Sequence, residues 1–189
     1  ALGKRPLLDL AVFIQTDDAA LQGSDLMVDT VSQQDYRLVA GALHELAGPG
    51  ADLAPQSLAA ASWILGANSG DIEAAWREVF DAAGIAAPTP GLVTTSVEFC
   101  RSTLRQNRHL SVLPTGLIGS DLESGRLVVL PAPGFAWRRP VTLVHRAESL
   151  QVPAVLAMIR ALHEVAERAA QGLPAAASGA ALAPAEAGG

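Results

Sequence analysis

Residues able to perform acid–base or nucleophilic chemistry are few in this chain, and their spacing does not form a catalytic set. The histidines His44, His109, His145 and His163 fall in four different segments and lack the spacing of metal ligands. Cys100, the single cysteine, lies on the apolar stripe of a predicted helix, where a small core residue is the ordinary role. No Gly-x-Ser-x-Gly turn, phosphate-binding glycine loop or His-Glu-x-x-His motif occurs in the sequence. We therefore expect no catalytic residues, no metal site and no cofactor.

Small hydroxyl and amide residues stand instead where strand-like runs give way to helix-like runs. Asn68 and Ser69 follow one apolar run, and Thr95 and Ser96 follow the next. Because the carboxyl ends of parallel strands meet along one edge of a sheet, these side chains are expected to face a common crevice. Helix capping explains each residue equally well when it is taken alone. As a set, they predict a cleft for a small polar ligand.

Strand-like and helix-like segments alternate along the chain, and they must position these residues. The alternation predicts an α/β fold with a mainly parallel sheet. Strands, most of them buried on both faces, are expected at 9–14, 36–40, 62–66, 92–95, 109–114, 126–130 and 141–145. Helices are expected over 71–83, from Thr95 or Ser96 onward, and from Pro153 to about residue 169. Residues 171–189 are mostly Ala, Gly and Pro, so we expect a disordered tail.

Composition excludes several classes of protein. Half of the 189 residues are apolar and 17% are charged, which favours a packed core over disorder. The 13 basic residues are scattered and the formal charge is −6, so this chain is not expected to contact DNA itself. The apolar runs are too short to span a membrane and no export signal or cysteine pair is present, so we expect a cytoplasmic protein. Because the chain starts without methionine, directly before a strand, we expect it to be a fragment.

Ten short motifs follow one another along residues 7–167. They are Leu8-Asp9-Leu10-Ala11-Val12, Leu38-Val39-Ala40, His44-Glu45-Leu46-Ala47, Ser62-Trp63-Ile64-Leu65, Val79-Phe80-Asp81-Ala82-Ala83-Gly84, Val93-Thr94-Thr95-Ser96, Leu110-Ser111-Val112-Leu113-Pro114, Gly125-Arg126-Leu127-Val128, Arg139-Pro140-Val141 and Pro153. In this order they resemble the effector-binding domain of LysR-type transcriptional regulators. One departure is Glu45, where the family favours proline.

The resemblance implies a periplasmic-binding-protein-like fold of two α/β lobes joined by crossing strands, with an effector held in the cleft between them. The first lobe is expected at 1–40 and 114–170, and the second at 41–113. Family members normally begin with a further strand and helix, so we expect the first lobe to be truncated at its N-terminus. A chain extended upstream by those two elements is then expected to be more soluble, more stable and better able to dimerise.

The function implied by the resemblance is effector sensing within a DNA-binding transcriptional regulator. DNA would be contacted only by an N-terminal helix-turn-helix outside this chain, and the full-length protein would be a homodimer or homotetramer. The effector is expected to be a polar small molecule such as a sugar or an organic acid. Glu73 stands where related regulators often carry arginine, which argues against a carboxylate.

Two other functions remain open. The first alternative is a solute-binding protein of a transport system, which shares the two-lobe fold, and the second is a small α/β enzyme. The sequence encoded upstream of Ala1 would distinguish a regulator from an exported protein. With the effector in the cleft, the hydroxyl and amide residues are expected to bind it and the first strand to supply an apolar wall. The predicted contacts are Phe13, Ile14, Asn68, Ser69, Thr95, Ser96 and Thr115.

Overall fold

A computed structural model of the protein describes residues 9–14, 25–67 and 70–170. Its strands are β1 (Leu10–Ile14), β2 (Leu26–Gly41), β3 (Trp63–Gly66), β4 (Leu92–Thr94), β5 (Leu110–Pro114), β6 (Leu127–Val129) and β7 (Ala136–Arg146). Its α-helices are α1 (Pro55–Ala60), α2 (Gly70–Ala82), α3 (Val97–Leu104), α4 (Gly119–Glu123) and α5 (Pro153–Ala170). Asn68, Ser69 and the tail expected at 171–189 lie outside the described residues.

The strands form one mixed sheet in the order β1-β7-β2-β5-β3-β4, with β6 beside β2. Among the described strands, the parallel pairings are those of β3 with β4 on one side and with β5 on the other. The pairings of β2 with β5, β6 and β7, and of β1 with β7, are antiparallel. The expectation of a mainly parallel sheet is therefore wrong, because a buried apolar run does not encode the direction of its neighbour.

Two long strands, β2 and β7, cross the molecule side by side. Their ladder runs from Leu26 opposite Arg146 to Arg37 opposite Ala136, with a bulge between Thr30 and Ser32. The sequence predicted only the buried end of each strand, since the remaining parts carry polar residues and are half-exposed. β2 and β7 therefore connect β1 at one edge of the sheet to β3, β4 and β5 on the other side.

An aromatic core lies on one face of the sheet beneath α2. Trp63, Trp76, Phe80 and Phe135 are fully buried. The Trp63 ring meets the ring of Trp76 edge-on at 5.3 Å between centroids, and the ring of Phe80 at 5.9 Å. The spacing of Trp76 and Phe80 puts both on the inner face of α2. Gly84 follows this helix with φ of 71°, a left-handed conformation that glycine adopts without strain.

A second core lies under α3 on the opposite face. Because side chains alternate along a strand, Val39 and Ile64 point to this face, where they pack with Cys100, Leu104 and Leu113. Leu127 of β6 joins the same cluster. This packing fixes α3 across the sheet, next to the ends of β4 and β5.

The segment after β5 packs with β3 rather than with β1. Leu130, Ala132 and Phe135 belong to the same core as Trp63, and β6 pairs with the end of β2. This core therefore continues to about Phe135, and the lobe boundary expected between residues 113 and 114 stays a prediction. Within the described ranges, none of the helices has the length and apolar character needed to span a bilayer.

Candidate ligand-binding site

A cavity of about 230 Å³ opens at the edge of the sheet where β3, β4 and β5 end. A cavity of this volume suits a small organic molecule. The lining is uncharged and consists of Ile14, Tyr36, Gly66, Ala67, Thr94, Thr95, Ser96, Val97, Cys100, Val112, Leu113, Pro114 and Leu117. The cavity lies at the crevice that the hydroxyl residues at the strand ends predicted.

The hydroxyl groups of the residues before α3 differ in their hydrogen-bond partners. The Ser96 hydroxyl caps the helix by accepting a hydrogen bond from the Phe99 amide at 3.1 Å. The Thr94 hydroxyl accepts one from the Ser96 amide at 3.0 Å. Within the described residues, the hydroxyl of Thr95 makes no hydrogen bond. Thr95 therefore presents to the cavity a hydroxyl that no described residue bonds, at the positive end of the helix dipole.

Cys100 forms part of the apolar wall one turn into α3. Its thiol lies 3.6 Å from the Ser111 hydroxyl, which in turn donates a hydrogen bond to the carbonyl of Ile64 at 2.8 Å. Burial raises the pKa of the Cys100 thiol more than the hydrogen bond with Ser111 lowers it. The thiol is therefore protonated at neutral pH and is not an activated nucleophile.

Tyr36 closes the cavity on the side of the crossing strands. The side chain is buried, and this burial raises the pKa of its phenol, while the charge of Arg139 acts in the opposite direction. The phenol is therefore protonated and can donate a hydrogen bond into the cavity. Sequence reasoning placed Tyr36 at the start of a strand and missed it as a site residue. The sequence pattern that could have indicated it is a single tyrosine just before the apolar run 38–40. A tyrosine buried with such a run needs a hydrogen-bond partner for its hydroxyl.

The structure brings three of the predicted site residues together and separates two others. Ile14, Thr95 and Ser96 line the cavity. Phe13 points to the opposite face of β1, because successive strand residues alternate, and lines a separate depression. The Thr115 hydroxyl donates to the carbonyl of Asp35 at 3.3 Å and lies outside the lining. Phe13 and Thr115 thus lie outside the lining of this cavity, and their contact with an effector stays a prediction.

A buried carboxylate holds the outer face of α3. Asp121 of α4 is fully buried and accepts hydrogen bonds from Arg101 at 2.7 Å, Arg105 at 3.0 Å and Arg126 at 2.9 Å. Burial alone would raise the pKa of Asp121, but the three arginines outweigh it and lower the pKa to about 2. This charged cluster ties α3 to α4 and to the start of β6, and so helps to position the cavity wall.

The described residues contain no group of three His, Cys, Asp or Glu side chains placed to hold a metal ion. The polar groups at the cavity are hydroxyls, amides and one phenol. They can bind and orient a ligand by hydrogen bonds.

Comparison with known proteins is consistent with this geometry. Residues 4–167 match the family model of the LysR substrate binding domain, whereas no curated protein matches significantly. The fold is similar to that of the Synechocystis PCC6803 CcmR regulatory domain in complex with 2-PG, with 17% identity, a TM-score of 0.66, and coverage of 84% of this chain and 74% of that one.

Two further solved structures share the fold. For the CrgA regulatory domain from Neisseria meningitidis the identity is 20%, the TM-score 0.64 and the coverage 83% and 74% of the two chains. For Vibrio fischeri DarR in complex with DNA the identity is 15% and the TM-score is 0.62. The match covers 82% of this chain and 50% of that one. At such identities the structures show the fold alone, and they confirm the periplasmic-binding-protein-like architecture. Together with the family match, they show that this chain is a LysR substrate binding domain, the effector-binding part of a LysR-type transcriptional regulator.

Proposed function

We propose that this domain binds a small organic effector in the cavity between Ile14, Tyr36 and the start of α3, and that it does so without chemical turnover. The observation that carries the proposal is the uncharged cavity of about 230 Å³, whose lining includes the hydroxyl of Thr95, which no described residue bonds. The protonated thiol of Cys100 supports binding over catalysis, as does the lack of a nearby histidine or carboxylate in the described lining.

The crossing strands supply a physical route from binding to regulation. Ile14 reaches the cavity from β1, while Thr95 reaches it from the end of β4. A ligand that contacts both sides favours the arrangement of the lobes in which both contacts form. In the full-length regulator this arrangement would be passed to a DNA-binding domain outside this chain, within a homodimer or homotetramer.

The test is a binding comparison between two variants of the α3 region. Small sugars and organic acids are screened by thermal melting, and each compound that raises the melting temperature is titrated by calorimetry. Thr95→Ala should weaken binding roughly two- to twelve-fold, as expected for one lost neutral hydrogen bond of about 0.5–1.5 kcal/mol. Ser96 is left intact because its hydroxyl caps α3.

The matched control is Ser102→Ala, an exposed serine on α3 that lies outside the lining. It should leave the affinity unchanged. A compound bound with equal affinity by the wild type and Thr95→Ala would place the ligand elsewhere. Mass spectrometry of the compound after prolonged incubation should recover it unaltered, and a converted product would overturn the non-catalytic part of the proposal.

A further inference from the structure

Two half-buried polar side chains, Gln34 and Arg139, stand on the crossing strands near Tyr36, just outside the lining of the cavity. In the ladder of β2 with β7, Gln34 stands directly opposite Arg139, and Tyr36 stands opposite Trp137. Opposed residues and residues two apart on a strand share one face of the sheet. Gln34 and Arg139 are therefore on the same face as Tyr36, which lines the cavity.

Both side chains have a polar atom without a partner. Within the described residues, Nε of Arg139 and Oε1 of Gln34 are closed off from solvent and form no hydrogen bond. Arg139 also forms no ion pair with a described carboxylate. Its charge does reach the phenol of Tyr36, where it lowers the pKa against the larger effect of burial. Buried polar groups are normally satisfied, so each of these atoms calls for a partner outside the described residues, and a bound ligand is one such partner.

The neighbouring arginines on these strands behave differently. Nε of Arg138, on the opposite face, donates to Asp35 at 3.1 Å, and the same carboxylate lies 3.8 Å from Arg37. Arg138 is also 68% exposed, so water satisfies its remaining donors. The lining of the cavity contains no acidic residue that could neutralise Arg139. Among the described residues, no carboxylate therefore neutralises the positive charge beside the cavity, which leaves this charge to an anionic ligand.

Glu73, which stands where arginine was expected from the resemblance, does not oppose an anionic ligand. Glu73 forms an ion pair with Arg77 at 2.7 Å along the exposed surface of α2. It is not part of the cavity lining.

We propose that the effector is a small hydroxylated organic anion whose acidic group binds the guanidinium of Arg139. The inference rests on the proposed function of the cavity and adds the class of ligand. A carboxylate or phosphate oxygen would accept from Nε of Arg139, and a hydroxyl of the ligand would donate to Oε1 of Gln34. The phenol of Tyr36 lies between these groups and the cavity, where it donates to a second ligand oxygen. Arg139 then determines the specificity of the site.

The first test needs no ligand and compares Arg139→Met with Arg138→Met. Arg139→Met keeps an apolar stem but removes a charge that has no partner among the described residues, so its melting temperature should equal or exceed that of the wild type. Arg138→Met removes an exposed ion pair and should change the melting temperature little. A clear fall in the melting temperature of Arg139→Met would mean that Arg139 has a structural partner, such as Gln34 itself, and would overturn the inference.

The second test uses defined probes on the same proteins. Glycerate, 4-hydroxybenzoate and inorganic phosphate are titrated at millimolar concentration, together with the uncharged compounds glycerol and 4-hydroxybenzamide. At least one acidic probe should bind, and its affinity should fall tenfold or more in Arg139→Met but stay unchanged in Arg138→Met, as expected for a lost charge-assisted contact. The two organic acids and phosphate separate a carboxylate from a phosphate ligand.

The outcomes separate this inference from the proposed function. Equal affinity of the acidic probes for the wild type and Arg139→Met, or no binding by any acidic probe, would overturn the requirement for an anion. If an uncharged probe binds both proteins equally and loses affinity in Thr95→Ala, the cavity remains the effector site and only the anion is ruled out. If acidic probes depend on Arg139 but not on Thr95, the proposed position of the ligand in the cavity is wrong instead.

Discussion

At the scale of single residues, the thiol of Cys100 is the most direct reporter of the cavity. It lines the cavity, it is buried, and no other cysteine is present in the chain. We expect iodoacetamide to modify the native protein much more slowly than the urea-unfolded protein at the same pH, because burial raises the pKa of the thiol. A ligand in the cavity should slow the reaction further. Mass spectrometry gives the rates, and equal rates for native and unfolded protein would contradict the buried position.

The hydroxyl pair before α3 shows how far residue-level prediction could go. The sequence placed Thr95 and Ser96 at a strand end facing a cleft, and both line the cavity. It could not decide which one caps the helix, because Thr95 and Glu98 also have the spacing of a capping box. The structure assigns the cap to Ser96. Phe13 and Ile14 show the same limit, since the face that a strand residue occupies depends on the register of its neighbour.

At the scale of elements, the attachment of α3 depends on Asp121. Asp121→Asn leaves Arg101, Arg105 and Arg126 without their shared carboxylate. We expect the free energy of unfolding to fall by roughly 1–3 kcal/mol, because three charge-assisted hydrogen bonds weaken while the arginines stay partly solvated. Urea denaturation at neutral pH measures the change. The matched control is Glu98→Gln, whose exposed carboxylate pairs with Arg101 at 3.0 Å and should contribute less than about 1 kcal/mol.

The same carboxylate gives the domain a defined acid response. The pKa of Asp121 is about 2 in the folded protein, below its ordinary value of 3.8. The ionised form is therefore favoured by folding, and its contribution is complete above pH 3.8 and disappears as the pH falls towards 2. Unfolding curves across this window should converge for the wild type and Asp121→Asn. A constant difference between the two proteins down to the lowest pH would show that the charge of Asp121 is not responsible.

Helices were predicted more accurately than strand partners. The periodic stripes of α2 and α5 predicted 71–83 and 153–169, close to the observed Gly70–Ala82 and Pro153–Ala170. The outer halves of β2 and β7 were missed because polar residues such as Gln33 and Gln34 resemble a loop. Their strand structure comes from pairing with each other over a long ladder, which is a tertiary property.

At the scale of the whole molecule, the crossing strands predict cooperative unfolding. All three tryptophans, Trp63, Trp76 and Trp137, lie in or against the aromatic core beneath α2. Their fluorescence reports the unfolding of the part of the domain around the aromatic core, whereas far-UV circular dichroism also reports the unfolding of α5. Because β2 and β7 are continuous through both halves, the two signals should give the same midpoint in urea. Separate midpoints would show that the halves unfold independently.

Tyr36 is the only tyrosine of the chain, and it forms part of the cavity wall. Biosynthetic incorporation of 3-fluorotyrosine would therefore place one fluorine nucleus at the proposed effector site and nowhere else in the domain. A single resonance in the ¹⁹F NMR spectrum could then follow occupancy of the site in this domain, without any substitution in the sequence. The scarcity of aromatic residues thus makes the unmodified sequence suitable for spectroscopy at one chosen atom.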